Sequence, residues 1–139
     1  MHEVEQKPLR LLYFSIRSDV LESPERLAER LGEIMGCSFH EGYHREETAA
    51  LCTELLGMDI YLYEWRGQQN RRIYRFHGSQ ARDRFRSYVG EEGIEYVRID
   101  ISDAIIDLLE AHGGGTWYRP TEADIDAEIA YANRILRSE

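Results

Sequence analysis

The sequence predicts a single α+β domain, with a mostly antiparallel sheet of four or five strands flanked by three or four helices. Some short segments alternate apolar and polar residues, others repeat apolar residues at helical spacing, and glycine or proline separates most of them. The order is β-α-(β)-α-β-β-β-α-α, without a repeat or a linker. Because 139 residues match the usual size of one domain, residues 1–139 are predicted to form one unit.

The first part of the chain is predicted to form one strand and two helices. Residues 9–16 are apolar on both faces, as in a buried strand. Ser23 and Pro24 are typical of a helix start, and Gly36 is typical of its end. A second helix is predicted from about position 45 to the glycine at 57. Four apolar residues would form its buried side: Ala49, Leu51, Cys52 and Leu55.

Residues 58–65 and 72–78 are predicted to form a hairpin around a turn at 67–70. This turn would place Tyr63 opposite Tyr74 and would gather the hairpin's aromatic residues on one face of the sheet. That aromatic face comprises Tyr61, Tyr63, Trp65, Tyr74 and Phe76. It is expected to be either an ordinary core face or the lining of a pocket for a small ligand.

The last part of the chain is predicted to contain a strand and two helices. Residues 79–90 are predicted to form a loop or a short helix, and residues 94–101 a strand with Val97 facing inward. Ser102 would cap a helix ending at His112, and Thr121 and Asp124 match a capping box before a final helix. The buried stripe of that helix would consist of Ile125, Ile129, Ala132 and Leu136.

His40-Glu41-Gly42-Tyr43-His44 matches H-E-x-x-H, the motif in which two histidines on a helix bind zinc beside a glutamate base. The spacing to Glu64 is similar to that of thermolysin-like zinc peptidases, which implies His40, His44 and Glu64 as ligands and Glu41 as base. Glycines at 36 and 42 oppose a helix here. We therefore expect no catalytic residues, no metal and no cofactor, with a zinc-dependent hydrolase as the alternative.

The composition excludes several classes of function. The net charge of −9 opposes binding to nucleic acids or anionic membranes, because neutralising phosphate needs a positive surface. The arginines between 71 and 86 are expected to pair with neighbouring acids. The sequence contains no run of about 18 apolar residues, so no membrane-spanning helix is predicted. Cys37 and Cys52 are expected to be free thiols, which favours the cytoplasm.

Three carboxylates are predicted to share one face of the helix that follows Ser102. Asp103, Asp107 and Glu110 lie at spacings of four and three residues, away from the apolar side of that helix. They could form an ordinary solvated face or a negative surface for a basic partner. The loop that follows contains Trp117 and Tyr118, which could anchor such a contact.

The layout of residues 23–32, 55–62 and 73–76 resembles bacterial toxin-immunity proteins of contact-dependent and polymorphic toxin systems. The shared features are a strand, a helix ending near Leu-Gly, and a hairpin. The resemblance implies a cytoplasmic protein, monomeric or weakly dimeric, that neutralises a cognate toxin. Many such toxins are basic nucleases, so the expected partner is a basic protein domain, with neither nucleic acid nor membrane as a direct partner.

Overall fold

The structure, a computed structural model, describes residues 9–45, 47–81 and 96–137. The strands in this part of the chain are β1 (Leu9–Ser18), β2 (His40–His44), β3 (Thr48–Leu55), β4 (Met58–Arg66), β5 (Arg72–Gln80) and β6 (Tyr96–Asp100). The helices there are α1 (Pro24–Met35), α2 (Ser102–Ala111) and α3 (Glu122–Arg137). The α+β class is confirmed, although the described sheet has six strands where four or five were predicted.

The strands form one sheet in the order β2-β3-β4-β5-β1-β6. Every neighbouring pair is antiparallel except β1 and β6, which run parallel, so the mostly antiparallel sheet is confirmed. Strands β2 to β5 follow one another as a meander, and β1 joins through β5. The predicted loop at 79–90 lies outside the described residues from position 82 onward, as do residues 94 and 95 of the predicted strand.

The predicted helix between positions 45 and 57 is wrong, because this segment forms β3 and its turns. Leu51 and Leu55 pack against the main core, and the buried Ala50 lies on the opposite face, so the segment has the two-residue period of a strand. Leu56 and Gly57 form a two-residue hairpin loop with φ of 52° and 74°. A run of apolar residues ending in Leu-Gly is compatible with either a helix or a strand. Hydrogen-bonded pairing with β4 makes this segment a strand.

The hairpin of β4 and β5 is confirmed, but its predicted register is wrong by one residue. Tyr63 pairs with Arg75, not with Tyr74. The turn contains five residues, because Gln69 and Asn70 both adopt the left-handed conformation, with φ of 58° and 57°. A shift of one residue moves every side chain to the other face of the sheet. The aromatic residues are therefore divided, with Tyr61, Tyr63 and Trp65 on one face and Tyr74 and Phe76 on the other.

The main core lies between one face of the sheet and helices α1 and α2. Phe76 is central to it, with ring centroids 5.1 Å from Phe14 and 5.5 Å from Trp117. The predicted start of α1 is confirmed, because Ser23 Oγ accepts a hydrogen bond from the Arg26 backbone N–H at 3.3 Å. The predicted end is confirmed too, since Gly36 has a φ of 77°.

Strand β6 is the last strand on one side of the described sheet and leads into α2. Val97 was predicted to face inward and is 45% exposed, and among the described strands β6 has a neighbour on one side alone. Ser102 begins α2 but does not cap it. Its Oγ accepts a hydrogen bond from the Ser15 backbone N–H at 3.0 Å, which joins α2 to β1. Asp100 Oδ1 accepts from the Ser102 N–H at 2.8 Å.

Helix α3 covers part of the opposite face of the sheet. Its predicted capping box is confirmed: the Thr121 N–H donates to Asp124 Oδ2 at 2.8 Å, and the Asp124 N–H donates to Thr121 Oγ1 at 3.2 Å. On the sheet side, Trp65 Nε1 donates to the Glu128 carbonyl oxygen at 3.1 Å. The Trp65 ring also meets Tyr131 edge to face, with centroids 5.0 Å apart.

The predicted buried stripe of α3 is wrong. Ile125 and Ile129 are 42% and 54% exposed, whereas Glu128 is 3% exposed. The helix meets the sheet through this glutamate because two arginines of the sheet attract it. Ala132 is half-buried, and the side chain of Leu136 lies outside the described residues. The apolar side of α3 therefore overhangs an open space.

Candidate functional site

The H-E-x-x-H match lies on a strand. His40 and His44 are the first and last residues of β2, so they are about 13 Å apart at a rise of about 3.3 Å per residue. Glu64 lies on β4, where Arg72 Nη2 holds it at 2.7 Å. The helix on which this zinc motif depends is therefore not formed. Among the described residues, no group of three or more His, Cys, Asp or Glu side chains could hold a metal ion.

His44 instead belongs to a cluster of rings on the sheet. Its ring centroid lies 4.9 Å from Tyr61, 5.2 Å from Tyr63 and 4.6 Å from His77. His44 reaches these rings over β3, where a small residue, Ala50, faces the same side. An edge strand thus contributes a side chain to the centre of the sheet.

Two rings of this cluster, those of His44 and Tyr63, line an open cleft of about 1030 Å³ between the sheet and α3. The sheet side of the cleft contributes Arg17, His44, Tyr63, Trp65 and Arg75, and helix α3 contributes Ile125, Glu128, Ile129, Ala132 and Ile135. The lining also includes Thr48, Ala49 and three charged residues: Arg45 and Glu47, which carry opposite charges, and Glu64, which Arg72 engages. One wall is therefore aromatic and cationic, and the facing wall is aliphatic apart from a single buried carboxylate.

The charges at the base of the cleft are unequal. Arg17 Nε lies 3.0 and 2.9 Å from the two carboxylate oxygens of Glu128, and Arg75 Nε lies 3.1 Å from Glu128 Oε1. Arg17 also donates through Nη1 to Ser15 Oγ and to the Ile16 carbonyl oxygen. Two guanidinium groups therefore share one carboxylate, and one positive charge is left without a counter-charge at the base of the cleft.

Arg75 is the less completely bound of the two arginines. Its Nε is buried and has no hydrogen-bond partner among the described residues, because the approach to Glu128 has poor hydrogen-bond geometry. Its guanidinium carbon lies 5.4 Å from the Tyr63 ring centre and 5.3 Å from the Trp65 ring centre. These cation–π contacts hold the cation at the aromatic wall and leave hydrogen-bonding capacity unused.

The two histidines beside the cleft are neutral at pH 7. Burial, together with the charges of Arg45 and Arg75, lowers the pKa of His44 to about 4. Burial, together with nearby His44 and Arg75, lowers the pKa of His77 to about 3. The ring Nε2 of His77 lies 3.1 Å from the Tyr63 hydroxyl, so the two side chains form a neutral polar pair beside the cleft. The excess positive charge thus comes from the arginines alone.

The predicted acidic stripe on α2 is exposed, and its three members differ. Asp103 is engaged by Arg119 Nε at 2.6 Å, and the same guanidinium holds Asp100 through Nη1 at 2.7 Å. Asp107 and Glu110 are exposed, with no ion pair or hydrogen bond to the side chains of other described residues. Two of the three predicted carboxylates are therefore available to a partner.

Sequence reasoning missed a second row of carboxylates, on α1. Glu25, Glu29 and Glu33 follow at four-residue spacing, and all three are exposed. With Glu41 of β2 they line a groove of about 680 Å³ between α1 and the sheet edge. The four-residue spacing of these glutamates can be read from the sequence and is typical of residues that share one face of a helix. We define the acidic helical layer as the solvent faces of α1 and α2, with Glu25, Glu29, Glu33, Asp103, Asp107 and Glu110.

The two aromatic residues predicted to anchor a partner have different positions. Trp117 is 3% exposed and packs in the main core, where its Nε1 donates to the Gly114 carbonyl oxygen at 2.8 Å. An indole buried in this way cannot present itself to a partner, so the predicted anchor role is wrong for Trp117. Tyr118 is half-buried, and its hydroxyl donates to Asp19 Oδ1 at 3.3 Å. Burial and that carboxylate raise the pKa of Tyr118 to about 12.

Cys37 and Cys52 are free and half-buried, as the sequence analysis expected. Burial raises the pKa of both thiols, and the charge of Asp59 acts in the same direction on Cys52. A raised pKa lowers the fraction of reactive thiolate at neutral pH. Neither cysteine therefore has the environment of an activated nucleophile.

Comparisons with known proteins add no relative. No protein-family model matches the chain, and neither a curated protein nor a solved structure is significantly similar to it. Within the described residues, no helix has the length and apolar character needed to cross a membrane.

Proposed function

We propose that this chain is an immunity-type binding protein that neutralises a cognate toxin in the cytoplasm by covering the toxin's active or substrate-binding surface. The observation that carries the proposal is the acidic helical layer. Helix α2 contains acidic residues and no basic one. On α1, Arg30 forms an ion pair with Glu22 at 2.6 Å. Arg26 is then the one exposed arginine of this helix, against three exposed glutamates.

A basic partner complements this surface. Toxins that cleave nucleic acids need positive surfaces to hold phosphate groups. An acidic protein accelerates its encounter with such a domain through long-range attraction and then occupies the same positive surface as the substrate. The net charge of −9 acts in the same direction as the local acidic helical layer.

One further side chain supports a protein contact at this layer. Leu108 is 37% exposed on α2, next to Asp107, and offers an apolar contact among the carboxylates. Tyr118 pairs with Arg17 and therefore lies on the α3 face of the sheet, so a contact that includes Tyr118 would have to extend beyond the acidic helical layer.

The test is co-expression with the protein encoded immediately upstream. If that gene encodes a large secreted protein with a variable C-terminal domain, expression of this domain should arrest growth. Co-expression of the present chain should restore growth. An upstream gene of another kind, or toxicity unaffected by co-expression, would contradict the proposal.

Charge reversal then locates the contact. The double substitution of Asp107→Lys and Glu110→Lys should weaken binding to the purified toxin domain by on the order of 1–3 kcal/mol. Association should also slow markedly from low to physiological ionic strength, because salt screens long-range attraction. The matched control is the substitution of Glu122→Lys with Asp126→Lys, two exposed acids of α3 on the other side of the sheet. Equal losses in both variants would show a net-charge effect without a specific surface.

A further inference from the structure

The cleft beneath α3 is large enough to hold a small molecule. Its volume of about 1030 Å³ lies just above the range common for such sites. It lies on the opposite sheet face from the acidic helical layer, so ligand binding in the cleft can be tested independently of the protein-binding function. The residues that line the cleft determine which ligand groups can bind.

The base of the cleft favours a negatively charged ligand group. Arg17, with a side chain 4% exposed, and Arg75, with a side chain 25% exposed, share Glu128 as their buried carboxylate. Arg75 Nε is buried and lies 3.1 Å from Glu128 Oε1, but it makes no hydrogen bond among the described residues. A carboxylate or sulfonate placed beside Arg75 would supply the missing counter-charge and accept the unused hydrogen bonds. Within the group formed by these two arginines and Glu128 the excess is one positive charge, and the other carboxylates of the lining, Glu47 and Glu64, disfavour a phosphate or a polyanion.

The walls of the cleft favour a ligand with a planar, apolar ring system. Trp65 and Tyr63 form the sheet side, and their rings already hold the Arg75 cation. The facing side of α3 presents Ile125 and Ile129, which are 42% and 54% exposed. These aliphatic side chains expose apolar surface to the open space of the cleft. A planar ligand between them and the aromatic rings would remove that surface from water. The two surfaces belong to different elements and face the same space.

We infer that the cleft binds a small organic monoanion, in which one carboxylate or similar oxyanion is attached to a planar apolar or aromatic body. The anionic group lies at Arg75, and the body lies between Trp65 and the isoleucines of α3. Binding requires no covalent step and no metal ion.

The test uses two probes with the same ring system, 2-naphthoate and its neutral analogue 2-naphthamide. The indole N–H of Trp65 donates to Glu128 at the base of the cleft, so its NMR resonance reports on the site. The indole N–H of Trp117 lies in the main core and serves as an internal reference. Naphthoate should shift the Trp65 resonance saturably at one molecule per chain. Its affinity should exceed that of naphthamide by roughly tenfold, as expected for a charged hydrogen bond.

Substitution of Arg75 identifies the anion contact. Arg75→Gln should lower the affinity for naphthoate to that of naphthamide and should leave naphthamide binding within about twofold. Arg71→Gln removes the same charge from the exposed hairpin turn and should leave both affinities unchanged. If Arg75→Gln does not fold, Ala132→Trp decides, because it fills the cleft without changing a charge and should abolish binding of both probes.

Several outcomes would overturn the inference. The first is equal affinity for the two probes. The second is naphthoate binding that persists in Ala132→Trp. The third is a change in the Trp117 indole resonance without a change in that of Trp65. Sedimentation velocity distinguishes another occupant. A dimer that buries the cleft and leaves naphthoate unbound would show that a second copy of the chain covers this face.

Discussion

Arg17 and Glu128 are 111 positions apart in the sequence and form a buried ion pair, with Arg17 Nε at 3.0 and 2.9 Å from the two carboxylate oxygens. The pair joins β1 to α3, and both side chains are almost fully shielded from water. Tyr118 strengthens the same connection, because its backbone N–H and C=O exchange hydrogen bonds with those of Arg17 at 2.9 and 2.8 Å. The attachment of α3, and with it the shape of the cleft, therefore depends on a charged contact.

Removing the charge of Glu128 should destabilise the fold strongly. Glu128→Gln leaves Arg17 and Arg75 without a counter-charge in a buried position, so the free energy of unfolding should fall by roughly 3–5 kcal/mol. Urea denaturation followed by circular dichroism measures this change. Asp126→Asn, an exposed acid on the same helix, is the matched control and should change stability little. Equal stability of the two variants would show that the buried pair contributes nothing.

Stability should fall as the pH drops from 7 to 5. The pKa of His77 is lowered to about 3 by burial, whereas an unfolded histidine titrates near 6.5. Between these values the unfolded chain binds a proton that the folded chain does not, so acid favours unfolding. The loss from His77 should be roughly 2 kcal/mol over this interval, and His44 acts in the same direction to a smaller extent, because it is more exposed.

The variant His77→Gln identifies the source of this pH dependence. Glutamine can keep a hydrogen bond to the Tyr63 hydroxyl without titrating, so urea midpoints at pH 7 and pH 5 should move closer together than in the original chain. His40→Gln, which replaces an exposed histidine of β2, is the matched control. An unaltered difference between the midpoints in His77→Gln would contradict the assignment.

Gly78 is required for packing in the main core. A Cβ at this position would lie 2.7 Å from Phe14 Cε1 and 2.8 Å from Ile60 Cγ1, closer than real contacts permit. Gly78→Ala should therefore lower the free energy of unfolding by about 1–3 kcal/mol. Gly67→Ala is the control, since its Cβ would come no closer than 3.4 Å, to Ile73 Cδ1. Thermal denaturation that ranks the two variants in the reverse order would contradict this packing.

Metal-replete protein should hold no stoichiometric zinc at the H-E-x-x-H match. His40 and His44 are separated by the length of β2, too far to share one ion, and Arg72 engages Glu64. Elemental analysis after gel filtration measures the metal content. One zinc ion per chain that is lost in His44→Ala would restore the zinc-hydrolase alternative as the leading hypothesis.

Local signals in the sequence predicted local structure correctly. The caps of α1 and α3 involve residues no more than four positions apart, so Ser23, Gly36 and the pair of Thr121 and Asp124 could be recognised without knowing the fold. Strand β3 could not be recognised in this way. Its apolar residues fit a helix or a strand, and the choice depends on pairing with β4.

The cleft could not be predicted because its walls come from distant parts of the sequence. One signal was nevertheless present. Glu128 lies within the predicted apolar stripe of α3, between Ile125 and Ile129, where a solvated glutamate is not expected. A charged residue on an apolar helix face indicates a buried partner of opposite charge. The sequence contains 16 arginines, and nothing local distinguishes Arg17 and Arg75 from the others.

The hairpin turn between β4 and β5 has a consequence for how this protein can change during evolution. Substitutions at Gln69 and Asn70 need only preserve a left-handed backbone, which glycine or asparagine would do readily. Deletion of one residue would bring Tyr74 and Phe76 to the cleft and turn Arg75 and His77 into the core. The length of this turn is therefore under stronger constraint than its composition, and insertions or deletions should be tolerated elsewhere before they are tolerated here.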